Sequence, residues 1–358
     1  MDERVFKYKA GDPIPDWDWQ HRLPIDKPVS GECKDTATVF RINSTFMDIT
    51  DQPYMDRQWV GGGVIFCCLG IIGAIYHGYS VIKNPNNHLD TYLITTLLLV
   101  LVGISAFGYL AFKYGRDEFF ALRRRPIRFN RREKKIYAIR RRRFFATTGQ
   151  GDITWEMEWN EKSIFCIHRG YAEGRPVYHI RHYEVDNENK VIRSVAIGRK
   201  WEENENLQGL LSQWNYWCWY MNYGPGELPK PPLFFSENES MRESFLFCLY
   251  GFGMQASIAY RISMMPFILI MTGYRLFALW TCRNPVWPQE VEDVSVIDPN
   301  DPYDEPQMHT PIGWGETVLA KQRGDYPEDP KMEIMDWRGE RDPAVNALLW
   351  AQDIPPTY

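Results

Sequence analysis

Two long stretches of the chain, Gln58 to Ile82 and Thr91 to Phe112, contain no Asp, Glu, Lys or Arg. At 25 and 22 residues, each is long enough to cross a hydrocarbon core of about 30 Å as a helix. A buried core helix of that length would carry a polar stripe, and neither run does. Only Lys83 to Asp90 separate them, so the pair predicts a transmembrane helical hairpin. Within the first run Gly70 and Ala74 form a small-xxx-small pair that lets another helix approach closely. The second run is the simplest partner for it, and a homodimer is the alternative. His77, six residues before Lys83, reads as an interfacial anchor, the alternative being a functional intramembrane histidine.

From Pro126 to Ala196 the apolar period changes to two. Strands are predicted at Ile127 to Asn130, Ile136 to Arg142, Ile153 to Trp159, Ser163 to Ile167, Val177 to Glu184 and Val191 to Ile197. Turn-forming clusters separate most of them, which makes an antiparallel meander. A helix follows, because Leu207, Leu210, Leu211, Trp214, Trp217, Cys218 and Met221 share one face. Thr36 to Asn43 is a further short strand candidate in the N-terminal part. The expected fold class is therefore an α+β membrane protein: a transmembrane helical hairpin plus a cytoplasmic antiparallel β-roll, pleckstrin-homology-like, closed by an amphipathic helix. Fold analogy of this kind carries no function by itself.

A third apolar region, Ser244 to Trp280, is interrupted by Arg261, Pro266 and Arg275. Read as one helix, it would put the two arginines on nearly the same face. An interfacial or re-entrant helical pair is the preferred reading, with a second transmembrane hairpin or burial in the cytoplasmic domain as alternatives. The resulting division is 1–57, a cytoplasmic leader; 58–112, the hairpin; 113–229, a basic β-roll with its closing helix; 230–295, a membrane-associated helical segment; and 296–358, an acidic Pro-rich tail. The leader opens acidic and mixed, without the apolar core of a signal peptide.

Charge orients this arrangement. Lys113 to Arg143 hold fourteen Lys or Arg against three acids, which predicts that the second helix exits into the cytoplasm. The hairpin then returns the N-terminal part to the same side, and the chain is expected in a bacterial inner membrane. Arg123, Arg124, Arg125, Arg128, Arg140, Arg141, Arg142 and Arg143 are the candidate membrane-surface residues, drawn to anionic headgroups at about 1 kcal/mol each. A solvated face or nucleic-acid patch is the alternative for the run, and nucleic acid is not expected as a partner. Net charge is only −5 because Glu290 to Tyr358 carry sixteen acids against five bases. That tail is expected to stay solvated rather than fold back on the basic run.

Candidate chemistry is sparse. The seven cysteines form no CxxC pair, and those on the cytoplasmic side should not form structural disulfides. His179 and His182 fall three apart on a strand and should point to opposite faces. Glu156 and Glu158 share a strand face and read as a salt-bridge ladder, with acid/base work as the weaker alternative. The aromatic cluster Trp214, Tyr216, Trp217, Trp219 and Tyr220 reads as core and interface packing rather than a ligand cage. No Walker loop, dinucleotide fingerprint, GxSxG elbow or HExxH is present. No enzyme activity, cofactor or metal is expected.

Several local runs resemble a known group. Arg125-Pro126-Ile127-Arg128-Phe129-Asn130-Arg131 opens the β-region, and Trp155-Glu156 begins a later strand. Trp219-Tyr220-Met221-Asn222-Tyr223-Gly224-Pro225 with Leu228-Pro229 closes the helix. Met241-Arg242-Glu243-Ser244-Phe245 and Pro285 to Glu292 bracket the third apolar region. Over about residues 60–295 these resemble an uncharacterised family of double-pass bacterial membrane proteins, found mainly in proteobacteria and often encoded near type VI secretion effectors. The resemblance implies an inner-membrane location and a protective or accessory role against a toxic effector, and it supplies no catalytic residue. The expected function is a non-enzymatic interaction protein, an immunity or accessory protein, whose partners are the lipid bilayer and an effector or other membrane protein. An anionic-lipid-associated envelope scaffold is the alternative, and an effector domain ranks third.

Overall fold

The strands Phe46–Ile49 and Ile127–Asn130 lie side by side as antiparallel neighbours, with residues 50–126 looped out between them. Into that gap the chain inserts two long helices. The computed structural model describes residues 11–83, 91–141, 152–172, 175–202, 207–251 and 257–333.

In chain order, the short helix α1 (Asp16–Gln20) and strand β1 (Glu32–Cys33) lead into β2 (Val39–Ile42) and β3 (Phe46–Ile49). Helices α2 (Gln52–Lys83) and α3 (Thr91–Glu118) form the insertion. The β-region then resumes with β4 (Ile127–Asn130), β5 (Lys135–Arg141), β6 (Asp152–Glu158), β7 (Ile164–Ala172), β8 (Arg175–Val185) and β9 (Val191–Glu202). Helix α4 (Leu207–Tyr223) follows, then α5 (Met241–Tyr250), α6 (Ile258–Ser263), α7 (Met265–Thr281), α8 (Gln289–Asp293), α9 (Gly313–Arg323) and β10 (Met332–Glu333). Strands β2 to β6 make one antiparallel sheet in chain order, and β7 to β9 make a second. β4 has the bounds that its alternation predicts, while β7 and β9 run several residues further than their predicted ends. The N-terminal strand is no separate leader: β2 and β3 are the first two strands of the main sheet.

Helices α2 and α3 rise about 48 and 42 Å at 1.5 Å per residue. Both are long and apolar enough to cross a membrane, and nearly all of their apolar window lies on the outside of the protein. Phe66, Ile72, Leu99 and Val102 are each more than 60% exposed, a surface that water solvates poorly. The two helices pack on each other, and a Cβ at Gly70 would come 3.0 Å from the ring of Phe107 on α3. The second helix is thus the partner of that small residue.

The third apolar region holds three helices rather than the expected pair. The chain breaks at Met264, so Arg261 and Arg275 belong to different helices and share no face. Arg261 stacks on Tyr250 at 4.9 Å, whereas Arg275 is fully buried. α7 crosses the foot of the hairpin: Phe267 meets Trp59 at 5.8 Å, and Ala278 packs with Val64 and Phe119. A Cβ at Gly62 would lie 2.7 Å from the Tyr274 ring, so the glycines there form the saddle that α7 occupies. The opposite face of α7 leaves Leu269, Ile270 and Trp280 exposed.

The core joins both sheets to α4. The apolar stripe expected on α4 is present, but from Leu210 to Met221 the helix is buried on every side, its polar Ser212, Gln213 and Asn215 included. The N-terminal segment covers that polar face. Asn215 Oδ1 accepts from the backbone N–H of Val29 at 2.9 Å, and its Nδ2 donates to the carbonyls of Ser30 and Glu32 at 2.9 and 2.8 Å. Trp214 Nε1 donates to Pro24 O, and the Tyr220 hydroxyl donates to Asn43 O, both at 2.8 Å. Partners of this kind are what keep the burial of a polar face from costing its full desolvation.

The acidic tail, expected to be solvated, packs on the N-terminal strands as far as it is described. Asp304 takes a two-pronged pair from Arg41 at 3.0 and 2.8 Å, and Asp301 accepts from the backbone and hydroxyl of Ser44. Glu305 exchanges backbone hydrogen bonds with Ile42, and β10 pairs with β1. Of the basic run, Arg128 meets it, through Glu292 at 3.4 Å.

Because three backbone groups depend on one amide, Asn215→Ala is expected to destabilise the protein by about 1–3 kcal/mol and to expose residues 24–43 to protease. Chemical denaturation in detergent with limited proteolysis measures both, and an unchanged midpoint would rule out this role for Asn215.

Candidate functional site

Where α2, α3 and α7 meet the β-region, three arginines are buried against carboxylates. Arg57 stands one residue before the uncharged run of α2, and Glu118 ends α3 just beyond the other run. Antiparallel packing brings the two to the same level. Arg57 is 2% exposed; its Nη1 lies 3.5 Å from Glu118 Oε1 and donates to Glu118 O at 2.9 Å. Its Nη2 donates to the carbonyls of Leu122 and Arg123, both at 3.0 Å. Cys282, just past α7, donates its thiol to Glu118 O at 3.1 Å. One side chain thereby ties the start of α2 to the exit of α3 and the end of α7.

The second pair joins α7 to the loop before α5. Arg275 Nε and Nη2 donate to the two oxygens of Glu239 at 2.6 and 2.7 Å, and its Nη1 reaches Tyr54 O and Gln58 Oε1, both at 3.0 Å. Glu239 also accepts from the Tyr54 and Ser244 hydroxyls, and the guanidinium lies 3.6 Å over the Phe247 ring. The third pair spans the sheet. Arg128 on β4 faces its register partner Asp48 on β3 and donates to both of its oxygens at 2.8 Å. Glu292 of α8 lies 3.4 Å from the same guanidinium, and Phe46 and Trp287 flank it at 4.0 and 4.8 Å. These are fork-to-fork, charge-assisted bonds, stronger and more directional than neutral ones.

The surroundings set the charge states. Burial would raise the Glu239 carboxyl, but the charge and hydrogen bonds of Arg275 outweigh it and hold the group below its ordinary value. Glu118 has the weaker partner. Burial pushes it up to about 7 against the pull of Arg57, Arg275 and Arg125, and its Oε1 has no hydrogen-bond donor.

Of the arginines assigned to the membrane surface, Arg128 and Arg140 are instead inside the fold. Arg128 is held by Asp48, and Arg140 is 7% exposed with its guanidinium on the carbonyls of Ile139 and Ala196. A side chain held in this way does not reach a headgroup. Arg123, Arg124 and Arg125 are half-buried at the foot of α3. Arg123 reaches Leu279 O at 3.4 Å, and Arg124 pairs with Glu237 at 2.7 Å over the Phe40 ring. Arg141 lies in β5, its side chain outside the described residues, as are Arg142 and Arg143 entirely. The described members of the eight thus divide between the foot of α3 and the interior of the β-region.

Sequence reasoning gave no site role to Arg57, Glu118, Glu239, Arg275 or Asp48. The available signals were Arg275 alone in an apolar run and Arg57 and Glu118 flanking the two long ones. Other readings keep their places. His179 and His182 lie on opposite faces, against His168 and Phe165 at 5.1 and 5.0 Å. Lys135 pairs with Glu156 and Glu158. Trp214, Tyr216, Trp217 and Tyr220 are in the core. Among the described residues no group of three His, Cys, Asp or Glu is placed to hold a metal ion.

Two outcomes follow from the buried pairs. Arg275→Met leaves Glu239 buried without its cation and should cost about 3–5 kcal/mol, whereas Arg275→Met with Glu239→Leu should recover most of that. Additive losses in detergent-solubilised protein would refute the coupling. For Glu118, a carboxyl at about 7 in the fold, against 4.5 ordinarily, binds its proton more tightly folded than unfolded. The stabilisation is complete below about pH 4.5 and is lost as pH rises through about 7. Glu118→Gln should therefore flatten the melting temperature between pH 5 and 8, and a profile as steep as wild type would show that another group titrates.

The model of a family described as a family of unknown function (DUF6708) matches residues 104–299. No curated protein and no solved structure matches the chain. The matched span runs from within α3 through α8 and contains Glu118, Arg128, Glu239 and Arg275, while Asp48, Tyr54 and Arg57 precede it. With the match covering more than half its length, this chain belongs to the DUF6708 family of unknown function.

Proposed function

We propose that this protein is a non-enzymatic interaction protein fixed to a bacterial inner membrane, with its β-region and the N- and C-terminal parts on the cytoplasmic side. The observation that carries this reading is the insertion of an apolar helical hairpin between two paired strands, locked at its foot by three buried ion pairs. A domain held in this manner cannot swing on a linker. It presents one fixed surface beside the bilayer, which suits a partner that is itself in or at the membrane. The two sheets with α4 in their core read as a pleckstrin-homology-like roll closed by that helix, and α7 reads as an interfacial helix with its outer face in the acyl boundary.

Aromatic placement supports the depth. Trp59 and Tyr79 lie twenty residues apart on α2, about 30 Å of helix and about one hydrocarbon thickness. Lys83 sits over Tyr79, and Lys113 lies beside Tyr109 and Tyr114, the pairing of aromatic belt and cation that marks an interface. The sequence resemblance supplies the biological setting, an immunity or accessory role toward a type VI secretion effector. The lipid-scaffold reading rests on Arg123, Arg124 and Arg125 at the foot of α3.

The orientation is tested by thiol labelling in a background without native cysteines. A cysteine at Asn86 should react with a membrane-impermeant reagent in intact cells, and one at the exposed Glu188 should react only after lysis. The reverse pattern would overturn the topology. For the setting, a deletion strain should lose competition against toxin-producing siblings and regain it with the full-length protein. Normal competition by the deletion strain, with the effector expressed, would discard immunity in favour of the scaffold.

A further inference from the structure

Beside the Arg275 pair, a cavity of about 300 Å³ lies between the foot of α2, α5, α7, α9 and the end of β9. Its wall is mostly aromatic and thioether, from Trp59, Phe247, Tyr250, Met271 and Trp314. The rings support one another, since Trp314 stacks on Tyr250 at 5.7 Å and meets Phe247 edge-on at 6.3 Å. Trp59 and Gly251 are the exposed lining residues and mark the mouth.

The polar groups in this wall are unusual. Arg199 is held in place, donating through Nη1 to Thr36 O at 2.7 Å and lying 5.3 Å over Trp201, yet its buried Nε has no hydrogen-bond partner. The indole Nε1 of Trp314 is likewise buried and unpartnered. Both atoms are donors only, so what satisfies them must be an acceptor. Asp56, the carboxylate in the wall, lies 3.9 Å from Lys200, and Gln58 Oε1 is taken by Arg275. Burial lowers the proton affinity of Arg199, with Asp35 and Asp56 acting the other way. The cavity therefore offers an apolar wall, the Arg199 cation and two unmet donors, at the end of α2 that Trp59 marks as interfacial.

We propose that this cavity binds the head and first part of the chain of a single-chain anionic amphiphile. Its carboxylate or phosphate would accept from Arg199 and Trp314, and its hydrocarbon would leave past Met271 and Trp59. The volume is at the lower end for ligand pockets, about 300–1,000 Å³, so the rest of the chain lies in the acyl layer. The proposal rests on the membrane reading of α2 for where the ligand enters. Binding itself does not need an oriented bilayer and is measured separately from topology.

The test uses the full-length protein in a neutral maltoside detergent and counts retained ligand by native mass spectrometry. Oleate, lysophosphatidylglycerol, lysophosphatidylcholine and inorganic phosphate are offered in turn. One equivalent of oleate or lysophosphatidylglycerol is expected, at least tenfold tighter than lysophosphatidylcholine; whichever of the two anions binds tighter identifies the head as carboxylate or phosphate. Arg199→Gln should weaken it about tenfold, the size of a lost charge-assisted hydrogen bond. Trp314→Phe removes the donor together with the indole's five-membered ring; it should weaken binding several-fold, and the melting temperature measured beside it separates loss of the donor from loss of packing. Wild-type affinity in both variants, equal binding of the choline lysolipid, or displacement of oleate by phosphate alone at equal concentration would each overturn the proposal.

Discussion

The pairing of β3 with β4 constrains everything else in this fold. Neighbouring strands lie about 4.8 Å apart, so the insertion between them must leave and return at nearly the same point. A loop of that length has a closure entropy that grows only slowly with its size, but something must hold the closure in register. Asp48 and Arg128 face each other across that ladder with two 2.8 Å bonds. Slipping the register by one residue would turn them to opposite faces of the sheet and strand two buried charges. The ion pair therefore selects one alignment of the sheet and, through it, one exit point for the hairpin.

The other two pairs act on the same closure from further out. Arg57 joins α2 to the last residue of α3, and Arg275 joins α7 to Tyr54, Gln58 and Glu239. Apolar contact alone would leave the depth of α7 against α2 poorly defined, because both helices also carry apolar residues on their outer faces. A buried arginine tolerates no such sliding, since moving it by one helical turn would strand its charge. Buried ion pairs often add little net stability. Here their value is positional, fixing which residues of each helix meet.

How far the sequence reveals this arrangement depends on the range of each interaction. The two hairpin helices are legible because length and absence of charge are properties of a single segment. β4 and α4 are legible for the same reason, through period two and the stripe from Leu207 to Met221. What is not legible is pairing across the insertion. Nothing near Asp48 identifies Arg128 as its partner, so the first strands read as a leader. The N-terminal wrap over Asn215 and the contact of Asp304 with Arg41 are hidden likewise, and composition alone makes an acidic tail look solvated. The break at Met264 is legible in part from Pro266, since proline is well placed in a first turn, here that of α7.

On the proposed topology the basic run would have two roles. Positive residues beside a membrane helix orient it during insertion, before the β-region has formed around them. In the fold Arg128 and Arg140 are buried, while Arg124 turns to Glu237. Burial in the final structure therefore does not argue against an earlier topogenic role. It does argue against reading the folded surface from linear charge, because each arginine that finds a carboxylate or carbonyl in the fold is withdrawn from the field that a membrane would feel. Of Arg123, Arg124, Arg125 and Arg128, Arg123 and Arg124 are part-committed within the fold and Arg128 is fully so. On the proposed membrane reading, the attraction of this face for anionic lipid would be correspondingly smaller than the count of arginines implies, and the grip on the bilayer would fall mainly to the hairpin and the outer face of α7.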